Sequence, residues 1–265
     1  YQNPFQSIGI MVGVDELPVW GLSNTDFERN YALLYVLRHQ LPKKCKKMTL
    51  SFSNEFYKKE TQNICFAIDG AVHPDEFVVF TAHYDHLGCM GDSVIFHGAH
   101  DNASGTATVM DFARYYSEHQ PAYTTVFLLF SGEESGLRGS KNFVRNPLIP
   151  LDKIKMLINL DMFCGGDDGI MVVNSTQGET KEMVDMMDTI NATKHYVTAI
   201  KRRANAANSD HYYFTKHCPA IFIYTLGGKY GGYHNYTDTC ENCGLNNYST
   251  MFALILETLQ QYLHN

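Results

Sequence analysis

Two adjacent carboxylates, Glu133 and Glu134, follow an apolar run in the stretch FSGEESG (130–136) and are boxed between glycines. Neighbouring strand residues point to opposite faces, so this pair can share one site only if the strand has just ended. Other titratable residues fall at comparable places. AHYDHLG (82–88) closes an apolar run with His83 and Asp85, and NLDM (159–162) closes another with Asp161. GAHDNASG (98–105) delivers Asp101 just before a helix start, and YHNYTDT (233–239) carries His234 in a polar loop. Imidazole nitrogen with carboxylate oxygen is the donor set of a hydrolytic zinc site and needs no cysteine. With Asp101 shared, two ions could sit about 3.5–4 Å apart. One of the two glutamates is then surplus, and a general base must be a carboxylate near the metals yet not tied to them.

Each residue also has a plain structural reading. Asp101 could be a helix N-cap, His83 a hydrogen-bonded strand-end histidine, Asp161 a turn residue, and His234 any exposed loop imidazole. The acidic pair could simply face solvent. These readings would all have to hold independently while the residues still cluster at the carboxyl ends of strands, where open α/β sheets bind ligands.

The elements that must position them are legible as alternation. EFVVFTAHYD (76–85), TTVFLLFSG (124–132), KMLINLDM (155–162) and PAIFIYT (219–225) are short apolar runs suited to central strands buried on both faces. Helical patterns lie between them: Val109, Phe112 and Tyr116; Met183, Met187 and Ile190; and Phe252, Ile255, Leu259 and Leu263 within about 246–263. The pattern predicts a three-layer α/β fold with a mixed, mostly parallel sheet between helices. A helix is expected over Asn30–Gln40, with Leu33, Leu34 and Leu37 on one face, followed by a solvated basic run at Lys43, Lys44, Lys46 and Lys47. One domain is expected over 1–265, with residues 1–48 as a helical extension packed on a core of residues 49–265.

Bulk properties narrow the class. The chain has 265 residues, 45% of them hydrophobic, and a net charge of -7, which argues against a nucleic-acid binder. No apolar run approaches the roughly 18 residues that cross a bilayer. The first residue is Tyr1 and not Met, so a trimmed chain is expected, by processing or otherwise, from which any signal peptide would be gone. The odd count of seven cysteines is no disulfide framework.

The segments HYD (83–85), GAHDNASG, SGEESG (131–136), NLDM, NSDHYYF (208–214) and YHNYTDT, in this order, resemble the co-catalytic zinc aminopeptidase family that also includes glutamate carboxypeptidases and glutaminyl cyclases. The resemblance covers about residues 60–265 and implies a mixed sheet of about eight strands. It implies His83 and Asp161 on one zinc, Glu134 and His234 on the other, and Asp101 bridging them. It further implies Asp85 as the carboxylate orienting His83, and Glu133 as the general base. Asp210 and His211 match its Ser-Asp-His segment at the substrate-pocket wall, and secretion or periplasmic residence is what the family suggests. The family often has a second Asp where this chain has His100.

Other features stay outside these motifs. Tyr230 and Lys229, in GGKYGG (227–232), are candidates for touching substrate, and Tyr224 and Tyr233 for steadying an oxyanion. CENC (240–243) reads as a local disulfide or two free thiols, since no second pair completes a zinc knuckle. Glycosylation sequons at Asn102 and Asn235 fall inside the site motifs and read as accidental. The expected function is a zinc-dependent aminopeptidase acting on peptides, with two ions per chain and Glu133 working on metal-activated water. The alternative is a glutaminyl cyclase using a single zinc, and a silent binding module that kept its metal site is a third class.

Overall fold

A computed structural model of the chain describes residues 3–22, 30–44, 46–49, 51, 58–227 and 232–264. The chain divides into two compact units, residues 1–60 and 61–265.

In the first unit, β1 (Gly9–Val14) pairs in parallel with β2 (Ala32–Leu37), Gly9 opposite Ala32. The helix expected over Asn30–Gln40 is therefore a strand, with only Arg38–Gln40 forming a single 3₁₀ turn. A short apolar run such as ALLYVL fits either period, and the pairing with GIMVGV decides it. Arg38 closes the end of the pair by donating to Gly13 O (2.9 Å) and Asp15 Oδ1 (3.1 Å). The described lysines of the basic run are exposed.

The second unit is built on a sheet of seven described strands. They are β3 (Ile64–Ile68), β4 (His73–His83), β7 (Tyr123–Phe130), β8 (Ile154–Leu160), β9 (Gly169–Val173), β10 (Ile200–Arg203) and β11 (Ala220–Leu226), in the order β10-β9-β11-β8-β4-β7-β3. A separate hairpin joins β5 (Gly88–Met90) to β6 (Val94–Phe96). The central strands β7, β4, β8 and β11 run parallel, whereas β3 is antiparallel to β7 and β9 to β11. The sheet is thus mixed and mostly parallel as expected, with seven strands where about eight were implied.

Strand alternation sorts the core into two layers. Val78, Phe80 and Ala82 of β4, with Phe127 and Leu129 of β7, face a layer formed by α1 (Ser104–Glu118), α3 (Gly178–Lys194) and α4 (Tyr248–His264). The helical stripes read from the sequence supply that layer: Val109 and Phe112, Met183 and Met187, Ile255 and Leu259 are all buried in it. Phe80 and Phe112 stack with ring centroids 4.3 Å apart. Val79, Leu128 and Phe130 face the other way, against Phe143 of α2 (Arg138–Arg145) and Phe214 of the 3₁₀ segment Asp210–Lys216. Each such fully buried side chain contributes about 1.5–3 kcal/mol. The odd-numbered positions of β4 and β8 therefore share the second face, and His83 and Asp161, at their carboxyl ends, follow in the same phase.

Candidate active site

Parallel register brings the chemistry together. Thr81 of β4 pairs with Asn159 of β8, and His83 pairs with Phe130 of β7, so these strands end side by side. Past Phe130 the chain turns through Gly132 at φ +76°, a left-handed conformation that suits glycine. That turn removes the strand constraint on the acidic pair. The Glu133 and Glu134 amides both donate to the Asp85 carboxylate, at 3.1 and 3.3 Å. Asp85 thus pins the backbone of the glutamate pair.

His83 is 1% exposed, and its Nε2 lies 3.2 Å from Asp101 Oδ1 and 3.4 Å from Asp161 Oδ1. Its Nδ1 donates to the backbone carbonyl of Asp85 at 3.0 Å, while the Asp85 carboxylate stands further off at 3.7 Å. The imidazole is therefore oriented chiefly by the carbonyl of Asp85 and only secondarily by its side chain. With Nδ1 donating, Nε2 is the nitrogen aimed at the carboxylates. Burial works against a charge on His83, but Asp161, Asp101 and Asp85 outweigh it and raise its pKa well above the ordinary value.

Asp101 does not cap α1. Asn102, two residues before the helix, ties the loop to it and to β8, accepting from Gly105 N at 2.9 Å and from Met162 N at 3.2 Å while donating to Leu160 O. The sequon at Asn102 is accordingly buried and engaged. Asp101 is left to face two histidines: Oδ1 toward His83, and Oδ2 at 3.2 Å from His234 Nε2. Burial opposes its ionisation, yet His234 and His83 hold it below the usual carboxylate range. His234 also lies 3.1 Å from Glu134 Oε2; burial lowers its pKa, but contacts with Asp101 and Glu134 push it up to about 10. The other oxygen of Glu134, Oε1, is 2.7 Å from Nδ1 of His86.

Glu133 differs from its neighbour. Its carboxylate is in no ion pair among the described residues, although it falls in one group with His83 and Asp161 whose ligand atoms lie within 4.8 Å of one another. Burial, then Asp161, Asp210 and Glu134, push its pKa up to about 9, against the pull of His83. A second such group is His86, Asp101 and Glu134.

This donor set fits divalent cations. Carboxylates of Asp85, Asp101, Glu133, Glu134 and Asp161 converge in a largely buried volume, and buried charge of one sign must be balanced. Asp161 Oδ1 and His86 Nε2 are buried with no hydrogen-bond partner among the described residues. Mixed nitrogen and oxygen donors suit zinc.

Further residues, given no assigned role in the sequence analysis, fix these groups. Ser209 Oγ donates to Asp161 Oδ2 (2.7 Å), Asn159 Nδ2 to Ser209 Oγ (2.7 Å), and Thr81 Oγ1 to Asn159 Oδ1 (2.6 Å). Asp238 accepts from the amides of His100 (2.7 Å) and Asp101 (3.1 Å), so the loop carrying His234 also steadies Asp101. His100 is buried, and its Nδ1 accepts from Cys164 N at 3.2 Å. Among these, His86 had a visible signal, since it stands one residue after Asp85 in HYDHLG. Ser209 and Asp238 became recognisable only through long-range contacts.

Asp210 and His211 lie behind the site with no solvent exposure; burial lifts Asp210 to about 7 and holds His211 down to about 4. Tyr230 and Lys229 lie outside the described residues. Tyr233 is exposed and stacks on His234 with centroids 4.0 Å apart, whereas Tyr224 packs on Phe222. CENC forms no local disulfide: Cys243 bonds to Cys164, Cα atoms 5.5 Å apart, and Cys240 is a free exposed thiol. Cys164 sits three residues beyond Asp161, so the bridge ties the His234 loop to the end of β8.

Residues 63–259 match Peptidase family M28. The chain belongs to this family. Over 131 residues this M28 chain is 30% identical to a "Probable zinc metalloprotease" of Pyrenophora tritici-repentis, covering 44% of the chain and 30% of that relative. Over 177 residues it is 28% identical to a "Glutamate carboxypeptidase 2 homolog" of Caenorhabditis briggsae, covering 63% of the chain and 20% of that relative. The chain therefore spans about a third or less of these curated relatives. A zinc aminopeptidase from Bacillus subtilis superposes with TM-score 0.61 at 22% identity, over 75% of this chain and 49% of that one. Porphyromonas gingivalis glutaminyl cyclase superposes with TM-score 0.62 at 19% identity, over 75% and 76%. At these identities the M28 chain shares their fold. No helix among the described residues is long and apolar enough to cross a membrane.

Proposed function

We propose that residues 61–265 form a zinc-dependent exopeptidase that removes residues from the amino ends of peptides. The observation that carries this reading is the division of labour between Glu133 and Glu134. Glu134 is engaged by His86 and His234, while Glu133, grouped with His83 and Asp161, is in no ion pair among the described residues. His83 and Asp161 would hold one zinc and Glu134 and His234 the other. Asp101, whose two oxygens face different histidines, would serve both, which supports two ions over the single zinc of a cyclase.

When bound, the ions would activate water and polarise the scissile carbonyl. Glu133 takes the proton that the attacking water gives up and returns it to the leaving amine. Its buried setting makes the carboxyl a strong proton acceptor, and nearby cations favour its ionised form. Tyr233, whose ring stacks on His234, is the candidate to donate to the developing oxyanion. Asp85 fixes the glutamate turn, and Asp210 and His211 are buried next to Ser209, which holds Asp161. The Cys164–Cys243 bridge supports an oxidising compartment outside the cytoplasm.

Glu133→Gln tests the assignment. It should retain zinc and thermal stability while losing about 10²–10⁴-fold in kcat. Turnover close to wild type would remove Glu133 from the role.

A further inference from the structure

Beside the proposed ligands stands a histidine that the metal scheme does not use. His86 is 9% exposed in its side chain, and its Nδ1 lies 2.7 Å from Glu134 Oε1. A ring nitrogen and a carboxylate oxygen at this separation have a proton between them, and the ionised carboxylate can only accept it. The Nδ1 side of His86 is therefore engaged by Glu134, and its Nε2 is buried with no hydrogen-bond partner among the described residues.

The ring is held in place from above. Gly98 sits at φ +66°, and a Cβ built there would come within 2.7 Å of both Cγ and Cδ2 of His86. The absence of a side chain at residue 98 leaves room both for the imidazole and for the carbonyl of Asp101, which a Cβ there would meet at 2.5 Å. On its other side the ring meets His234 edge-on, with centroids 6.0 Å apart.

Resting on the two-zinc reading above, we propose that His86 is a positioning residue for the second ion. By occupying Oε1 of Glu134 it leaves only Oε2 for the metal, on the side where His234 and Asp101 Oδ2 converge. Glu134 then acts through a single oxygen with a fixed rotamer. Without the donor, Glu134 could swing or offer both oxygens, and the spacing to Asp101 and His234 would no longer be set. Because Nδ1 is taken up by Glu134 Oε1, it is not the atom turned toward the second ion. The arrangement mirrors the other half of the site, where Ser209 occupies Oδ2 of Asp161 and leaves Oδ1 for the ion.

The test is zinc binding itself, measured by competition with a chromophoric chelator on wild type, His86→Leu and His86→Asn. The leucine fills the space without a donor, and the asparagine amide restores an N–H close to the place of Nδ1. The expected result is that His86→Leu weakens one of two zinc ions by about 10–100-fold and leaves the other unchanged. His86→Asn should recover most of that loss. Unchanged binding of both ions in His86→Leu, or equal weakening of both, overturns the proposal, as does an asparagine variant no better than leucine. If His86→Leu fails to fold, the asparagine variant alone decides: one ion lost outright would make His86 a direct ligand, contrary to the proposal. A wild-type chain that takes up a single zinc would bring down the two-ion reading separately. His86 would then be judged by whether His86→Leu weakens that one ion.

Discussion

The two halves of the site are held by different kinds of structure. The His83 half sits on the ends of adjacent parallel strands, with His83 1% and Asp161 6% exposed. Behind it a polar chain runs from Thr81 through Asn159 and Ser209 to Asp161. The His234 half hangs on a loop: His234 is 14% exposed, adopts a non-glycine φ of +51°, and depends on Asp238 and a disulfide for its place. One half is thus set by sheet register and the other by crosslinks, so damage to each should read out differently.

The sharpest break should come from His83→Ala. It strands buried carboxylates beside an empty position, and breaking a buried pair in this way costs about 3–5 kcal/mol. The same change at His234, nearer solvent, should cost the metal-free fold far less while still losing zinc. Denaturant melts of both variants without metal check the contrast, and equal destabilisation would contradict it.

Cys243→Ser should come next. Closing a loop with a sequence separation of 79 residues is worth about 2–5 kcal/mol. Hydrogen exchange should show the opening confined to 232–243 and the end of β8, with β4 and β7 as protected as before. Uniform loss of protection would mean that the His83 half leans on the bridge as well.

Ser209→Ala should leave the melting curve nearly unchanged and weaken the zinc on the His83 half by about 10–100-fold. That is the mirror image of the His86 experiment, and finding the same ion affected in both would collapse the distinction between the halves.

The smallest expected effect is one of pH. In the metal-free protein Glu133 is raised to about 9 and His234 to about 10, so the folded state holds protons that the unfolded chain releases earlier. A group with a raised pKa stabilises the fold below its unfolded value and loses that contribution as pH rises through its folded value. Metal-free stability should therefore decline across about pH 6.5–9, where both groups act in the same direction, starting from unfolded values of about 4.3 and 6.5. Zinc replaces those protons, so its stabilising effect should grow over the same range. Melting temperatures with and without zinc test this directly, and a gap that narrows as pH rises would contradict it.

The sequence made the sheet-bound half the easier one to read. Central strands buried on both faces leave continuous apolar runs, and β4, β7, β8 and β11 were all visible for that reason. The helices α1, α3 and α4 were equally visible, because one face of each packs against the sheet. Edge strands β3 and β10 escaped: Ile64 and Phe66 of β3 are exposed, and β10 is IKRR, so neither shows a buried run. β2 was mistaken for a helix because six apolar residues satisfy both periods and only its pairing with β1 distinguishes them. Within the site, residues at strand ends were marked by polarity following an apolar run. Ser209 and Asp238 carried no such mark, since their roles consist of bonds to residues 48 and 137 or 138 positions away. The same holds for Cys243, whose partner lies 79 residues back while the nearer Cys240 invited the wrong pairing.

The measurement that bears most directly on the central claim is mass spectrometry of a mixed peptide pool incubated with the zinc-loaded protein, alongside a chelator control. The expected result is stepwise loss of whole amino-terminal residues, abolished by the chelator and by Glu133→Gln. Peptides that begin with Gln losing only ammonia, with every chain otherwise intact, would contradict it and make the same metal site that of a cyclase.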